Sequence, residues 1–220
     1  MKTLRVLFLF AGLSVLSASC GVFKKNKSGK LQAGSDNQIA IPIDSASIQS
    51  RLLVLSLRTR LNQITQYALN NGFSTQYFFF IDMSINSGKN RFFVYEMDKD
   101  SVELEGLVAH GSCNSKFLEQ ARFSNTPNCG CSSLGKYKVG PSYQGEFGKA
   151  YRLYGLDTSN SNALKRGIVL HGFRPVPDEE IYPRALCNSF GCPMVSPAFL
   201  DRLSGIIEKS PKPILMWVYK

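Results

Sequence analysis

Hydrophobic residues recur along this chain with two periods, and the period changes at Gly72. From Ala46 to Asn71, Ile48, Leu52, Leu55, Leu61, Ile64, Ala68 and Leu69 fall at mostly helical spacing, which predicts one long amphipathic helix over 45–71. Asp44 or Ser45 stands where an N-cap is wanted, and Asn70-Asn71-Gly72 is a stop whose glycine suits the left-handed position. Beyond Gly72 the apolar runs are shorter. Residues 77–82 are a continuous aromatic and aliphatic run, as in a buried strand, and the polar stretch 84–90 with Gly88 reads as a turn. Residues 91–97 and 102–110 are the next strands, 136–139 alternate, and 150–156 and 168–171 follow. The helical period returns at 197–209, where Phe199, Leu200, Leu203, Ile206 and Ile207 share a face behind a capping Ser196. A last strand covers 213–219. Short strands at regular spacing between two helices, with no internal repeat, predict a β-rich α+β domain over 44–220.

The first 43 residues are different. Two basic residues precede an apolar run over 6–16, too short to span a bilayer as an ordinary helix, and Ser17-Ala18-Ser19-Cys20 follows. This reads as an export signal over 1–19. Cys20 at the cleavage point resembles a bacterial lipobox, in which the cysteine becomes the lipidated first residue; the plainer alternative is a secretory signal with an incidental cysteine. The stretch 20–43, rich in Lys, Ser, Gly and Asn, reads as a flexible tether whose lysines suit an anionic leaflet. The expectation is an exported protein at the cell envelope, anchored to a membrane through lipid without spanning it.

The 220 residues carry a formal charge of +10, partly from the leader and tether. A basic surface suits an anionic partner such as a membrane or a cell-wall polymer. There is no nucleic-acid motif and no basic stripe interleaved with aromatics, so nucleic acid is not an expected partner. Of the six cysteines, Cys113, Cys129 and Cys131 cluster around one loop and Cys187 lies near Cys192. Export permits disulfides, and Cys113 can pair with either Cys129 or Cys131. Cys129-Gly130-Cys131 has the wrong spacing for a zinc site and no second pair, so neither a metal nor a cofactor is expected.

The chemistry gathers between Ile168 and Val195. A strand ends on His171-Gly172, 17 residues (172–188) intervene, and Ser189-Phe190-Gly191-Cys192-Pro193 follows. A cysteine nucleophile needs a thiolate, a base and oxyanion donors. Cys192 supplies the sulfur, and His171, one of only two histidines, is the base that gives a thiolate–imidazolium pair. No acid stands beside His171, so the Gly172 carbonyl is the candidate to fix the ring's tautomer. The N–H groups of Gly191 and Cys192 are candidate oxyanion donors, and Pro193 has no N–H and fixes the exit of the turn. Ser189 is placed to bond within the turn or to substrate. His110 also ends a strand before a glycine and is a candidate for the cleft wall, with a structural histidine as the alternative.

His171-Gly172, the spacing and Ser189-Phe190-Gly191-Cys192 resemble the signature of the bacterial L,D-transpeptidase catalytic domain. Ser133-Leu134-Gly135-Lys136-Tyr137 resembles that family's turn-and-strand segment. Ile81-Asp82-x-Ser84, Val108-Ala109-His110-Gly111 and Gly191-Cys192-Pro193 resemble its exported murein branch. The resemblance, over roughly 77–195, implies a mostly β domain acting on peptidoglycan stem peptides. Cys192 would form a thioester with the L-residue of an L–D linkage and expel the terminal D-amino acid. His171 would serve as base, Gly172 as its orienting carbonyl, and Gly191 and Cys192 as the oxyanion hole. Many members carry a basic or amide residue where this chain has Pro193, so Arg174 and Arg184 are the candidates to meet the substrate carboxylate. An L,D-carboxypeptidase using the same site and a non-catalytic lipid-anchored wall-binding module are the alternatives. A papain-like hydrolase fits less well, because there the cysteine ordinarily precedes the histidine. The oligomeric state is not legible.

Overall fold

The computed structural model describes residues 45–220, with side-chain surroundings for Leu52 and from Leu55 onward. The signal over 1–19, the tether over 20–43, Cys20 and the Asp44 cap therefore lie outside the described residues.

Eight strands form one mixed sheet between two helices. In chain order the elements are α1 (Ser45–Asn71), β1 (Tyr77–Asp82), β2 (Phe92–Glu96), β3 (Ser101–Gly106), β4 (Gly135–Gly145), β5 (Gly148–Gly155), β6 (Val169–Gly172), β7 (Met194–Val195), α2 (Pro197–Lys209) and β8 (Leu215–Tyr219). The order across the sheet is β3-β2-β1-β8-β4-β5-β6-β7. β1 runs parallel to β8 and β6 parallel to β7, and the other neighbours are antiparallel. This is the α+β architecture the patterning predicts.

The unbroken apolar run of β1 follows from its place. Side chains alternate across a strand, and here both faces are covered. Phe78 and Phe80, with Phe93, Tyr95 and Leu215, pack against Leu57, Leu61, Ile64 and Ala68 of α1. Phe79 and Ile81, with Val94, Tyr151, Leu153 and Met216, pack against Phe199, Leu200 and Leu203 of α2. The face of α1 differs from the sequence expectation. Leu61, Ile64 and Ala68 are buried as expected, Leu57 joins them, and Leu52, Leu55 and Leu69 are exposed. Those three lie on the opposite side of the helix, where the sheet cannot reach them.

α2 starts as its sequence predicts. The Ser196 hydroxyl accepts from the Phe199 N–H at 3.0 Å, and Pro197 occupies the first turn, where its missing N–H costs nothing. Two strand boundaries move. β3 ends at Gly106, not at His110, because 107–111 leaves the β2 edge. It then makes isolated bridges, Ala109 to Met194 and Gly111 to Ser189. β4 extends far past Val139 through an irregularity between Val139 and Ser142, and so carries a long hairpin out to Gly145. Both changes bring chain to the same corner of the sheet, where β6 and β7 lie.

Candidate active site

His171 is the third residue of β6, paired with Ala150 of β5 on one side and Met194 of β7 on the other. Backbone pairing on both sides fixes where its side chain leaves the sheet. Its Nδ1 lies 3.1 Å from the Gly172 carbonyl. A carbonyl only accepts, so Nδ1 carries the hydrogen and Nε2 of the neutral ring is left with a lone pair. The ring also stacks on Phe147, with centroids 5.3 Å apart and planes 20° apart. Phe147 sits at the tip of the β4–β5 hairpin, between the paired Gly145 and Gly148, and its edge meets Phe173. Gly148 has φ +90, so the two-residue tip depends on a glycine there. Phe147 is 54% exposed and yet covers a histidine that is only 6% exposed.

Cys192 stands two residues before β7 and is half-buried. Its sulfur accepts from the Val169 N–H at 3.5 Å and donates to the Gly167 carbonyl at 3.8 Å. Cys192 and His171 line one cleft of about 290 Å³, together with the rings of Tyr143, Phe147, Phe173 and Phe190 and with Asn188 and Ser189.

The turn before Cys192 is closed by its own serine. The Ser189 hydroxyl donates to the Cys192 carbonyl at 2.7 Å and accepts from the Gly191 N–H at 3.0 Å. This corrects one sequence expectation: the Gly191 N–H serves the turn rather than an oxyanion, and the oxyanion reading falls to the Cys192 N–H. Gly191 is nonetheless required where it is. Its φ of +115 disfavours other residues, and a Cβ there would stand 2.7 Å from the Cys131 carbonyl.

His110 does not face the cleft. It is fully buried, its Nδ1 lies 2.9 Å from Arg91 Nη2, and its Nε2 lies 2.9 Å from the Leu118 carbonyl. The guanidinium donates, so Nδ1 accepts and Nε2 carries the hydrogen. Its carbonyl accepts from the Ser189 N–H at 2.9 Å, and its ring adjoins the Asn188 amide at 3.3 Å. His110 thus helps to hold the turn that precedes Cys192. Neither arginine proposed for substrate lines the cleft. Arg174 is exposed beside a neighbouring depression with Phe173 and Pro175, and Arg184 is exposed on a loop that bonds back to Gly88.

Cys113 bonds to Cys131, which settles the open pairing, and Cys129, Cys187 and Cys192 are free. The bridge closes the loop that lies against the turn. Ser112 N–H donates to the Ser189 carbonyl at 2.8 Å, and the Ser132 hydroxyl reaches the Gly191 carbonyl at 3.4 Å.

Burial acts on both reactive groups. It pushes the His171 imidazole below its ordinary value, against the smaller opposing effect of the Gly172 carbonyl. It pushes the Cys192 thiol up, against the Val169 N–H and the charge of Arg166. Burial thus opposes the charged form of each group taken singly, and the mutual attraction of a thiolate–imidazolium pair would act against it.

Residues 48–217 match the model of the L,D-transpeptidase catalytic domain family. The chain belongs to that family. No curated protein matches it. Among solved structures, the Ldtfm–avibactam carbamoyl enzyme is 13% identical over 66% of this chain and 49% of that one, with a TM-score of 0.40. The cell-shape protein Pgp2 of Campylobacter jejuni is 13% identical over 66% and 47%, with a TM-score of 0.41. An L,D-transpeptidase from Xylanimonas cellulosilytica is 16% identical over 70% and 68%, with a TM-score of 0.37. The chain spans about half the length of the first two.

The residues that sequence reasoning missed are Phe147, Asn188 and Arg166. For Phe147 the available signal was an aromatic residue in Gly145-Glu146-Phe147-Gly148, between two strand-like runs. Asn188 and Arg166 carry no local signal, because their partners lie 33 to 78 residues away.

Proposed function

We propose that this protein is a cysteine acyltransferase acting on peptidoglycan stem peptides as an L,D-transpeptidase. The observation that carries the reading is His171. Its Nδ1–H is held by the Gly172 carbonyl, and its ring lines the same cleft as Cys192. That tautomer leaves Nε2 free to accept a proton. As Cys192 Sγ attacks the carbonyl of an L-residue joined to a D-residue, the thiol proton passes to Nε2. The Cys192 N–H stabilises the oxyanion, as preorganised donors do. Collapse breaks the C–N bond, imidazolium returns the proton to the departing amine, and a thioester remains. An amine of a second stem, deprotonated by His171, then attacks the thioester and releases the thiol. Water in place of the amine would make the same site a carboxypeptidase.

The test uses a labelled donor stem peptide and intact-protein mass spectrometry. The wild-type chain is expected to gain the mass of the donor less the free D-amino acid it expels, and Cys192→Ala to gain nothing. An unchanged adduct in Cys192→Ala would remove the nucleophile assignment. Adding an acceptor stem separates the outcomes: a cross-linked product marks transfer, and a shortened donor alone marks hydrolysis. Sedimentation with peptidoglycan but no adduct would mark a binding module.

The reading extends to location. The basic, apolar and small-residue succession over 1–20 supports export with lipidation at Cys20. Metabolic labelling with a radiolabelled fatty acid is expected to mark the wild-type chain and not Cys20→Ser.

A further inference from the structure

Arg166 lies in the turn just before β6 and is not among the residues lining the cleft. It is half-buried, and each hydrogen-bond partner it has is neutral. Nη1 donates to the Ser124 carbonyl at 3.0 Å and to the Ser133 hydroxyl at 3.3 Å, and Nη2 donates to the Cys131 carbonyl. The guanidinium is therefore pinned in place by dipoles that leave its charge uncompensated. It is pinned against the nucleophile turn: a Cβ on Gly191 would stand 3.0 Å from Nη2. The same chain segment supplies the Gly167 carbonyl and Val169 N–H that meet the Cys192 sulfur. Two of these holders are themselves fixed. Ser133 bonds to the buried Tyr137 hydroxyl at 2.8 Å, and Cys131 is tied to Cys113.

We infer that Arg166 is a positioning residue that supports negative charge on the Cys192 sulfur from behind the nucleophile turn, held there by the disulfide-closed loop. The inference rests on Cys192 being the nucleophile. Burial at Cys192 disfavours the thiolate, and a fixed cation is the simplest remedy, since a full charge in a partly desolvated place is screened little. The guanidinium fork suits this task because it stays charged and binds several carbonyls in one plane. The electrostatic sign also fits: the charge of Arg166 acts to lower the thiol's proton affinity. Arg166 makes no bond to substrate, so its effect falls on the sulfur and not on substrate affinity.

The test measures the pH dependence of Cys192 alkylation by iodoacetamide, read on the Cys192 peptide by mass spectrometry so that Cys129 and Cys187 do not interfere. In Arg166→Met the alkylation midpoint is expected to move up by about one pH unit, with roughly tenfold slower labelling at pH 7. Arg166→Lys, which keeps the charge, is expected to recover most of that loss. In steady-state turnover of a donor peptide, Arg166→Met should lower kcat with little change in KM. Circular dichroism reports whether each variant folds, and Arg166→Gln, which keeps donors toward Cys131, replaces Arg166→Met if the latter does not. An unshifted midpoint in a folded neutral variant, or a shift equally large in Arg166→Lys, would overturn the inference. Failure of the nucleophile assignment would show separately, as turnover by Cys192→Ala.

Discussion

His110 and His171 look alike along the chain. Each closes an apolar run, each precedes a glycine, and each is buried. They differ in what their second nitrogen meets. Both nitrogens of His110 are engaged, one by the Arg91 guanidinium and one by the Leu118 carbonyl, with the Asn188 amide beside it. Burial first, and then the charge of Arg91, push it down to about 4. His171 has one nitrogen held by a carbonyl and the other free for the cleft, and its opposite face carries an aromatic ring in place of a cation. The contrast teaches that burial alone does not separate a structural histidine from a reactive one. Satisfaction of both nitrogens makes His110 a strut, whereas the lone pair left at Nε2 suits His171 to the proton-accepting role proposed for it.

The contrast breaks most sharply at His171. His171→Gln is expected to lower the rate of thioester formation by about 10²- to 10⁴-fold, the usual worth of a positioned base, while thermal unfolding stays near that of the wild type. A variant still labelling at the wild-type rate would make the two histidines equivalent. His110→Leu is expected to do the reverse. It removes one hydrogen bond from Arg91 Nη2, which keeps the Val108 carbonyl, and one from the Leu118 carbonyl, which keeps the Asn188 amide, at about 1 kcal/mol each, and shows as a lower urea midpoint. The same residue makes stability pH-dependent. Its folded value lies near 4 and its unfolded value near 6.5, so the unfolded chain binds the extra proton between them. Its contribution is complete above pH about 6.5 and is lost as pH falls toward 4, by no more than about 3 kcal/mol. Urea titrations at pH 7 and pH 4.5 should differ less in His110→Leu than in the wild type. Phe147→Ala makes the smallest change. It uncovers the His171 ring, so the imidazole moves back up toward its ordinary value. The acid limb of kcat/KM then shifts to higher pH, and activity below pH about 6.5 falls most. Phe147→Tyr should restore the wild-type limb, and an unmoved limb in Phe147→Ala would show that the stacked ring does not bury the base.

Much of this was legible in the order of residues. The helical period over 197–209 and the continuous run over 77–82 report local burial, and both became the elements they predict. The tautomer-fixing carbonyl of Gly172 was legible because no carboxylate adjoins His171 and the neighbouring backbone is always within reach. What was not legible depends on contacts between distant segments. The face of α1 was misjudged because Leu52, Leu55 and Leu69 match the helical spacing as well as Leu57 does, and the sheet alone decides between them. His110 resembled His171 because Arg91 lies 19 residues upstream, where spacing carries no signal. The Gly191 N–H was assigned to an oxyanion because sequence cannot show that the Ser189 hydroxyl reaches it first. Charge and nearness in sequence point to Arg174 and Arg184, and neither is among the residues that line the cleft.

The lining of the cleft has a consequence for chemical probes. Its walls include the rings of Tyr143, Phe147, Phe173 and Phe190, and Glu146 is the one side chain of fixed charge among the described residues that form it. Arg166 stands behind the turn with its donors engaged by Ser124, Cys131 and Ser133. Among the described residues the lining therefore offers no fixed cation to a carboxylate, although the chain as a whole is strongly basic. An electrophile with a flat apolar arm matches that wall better than one whose affinity depends on meeting a cation there.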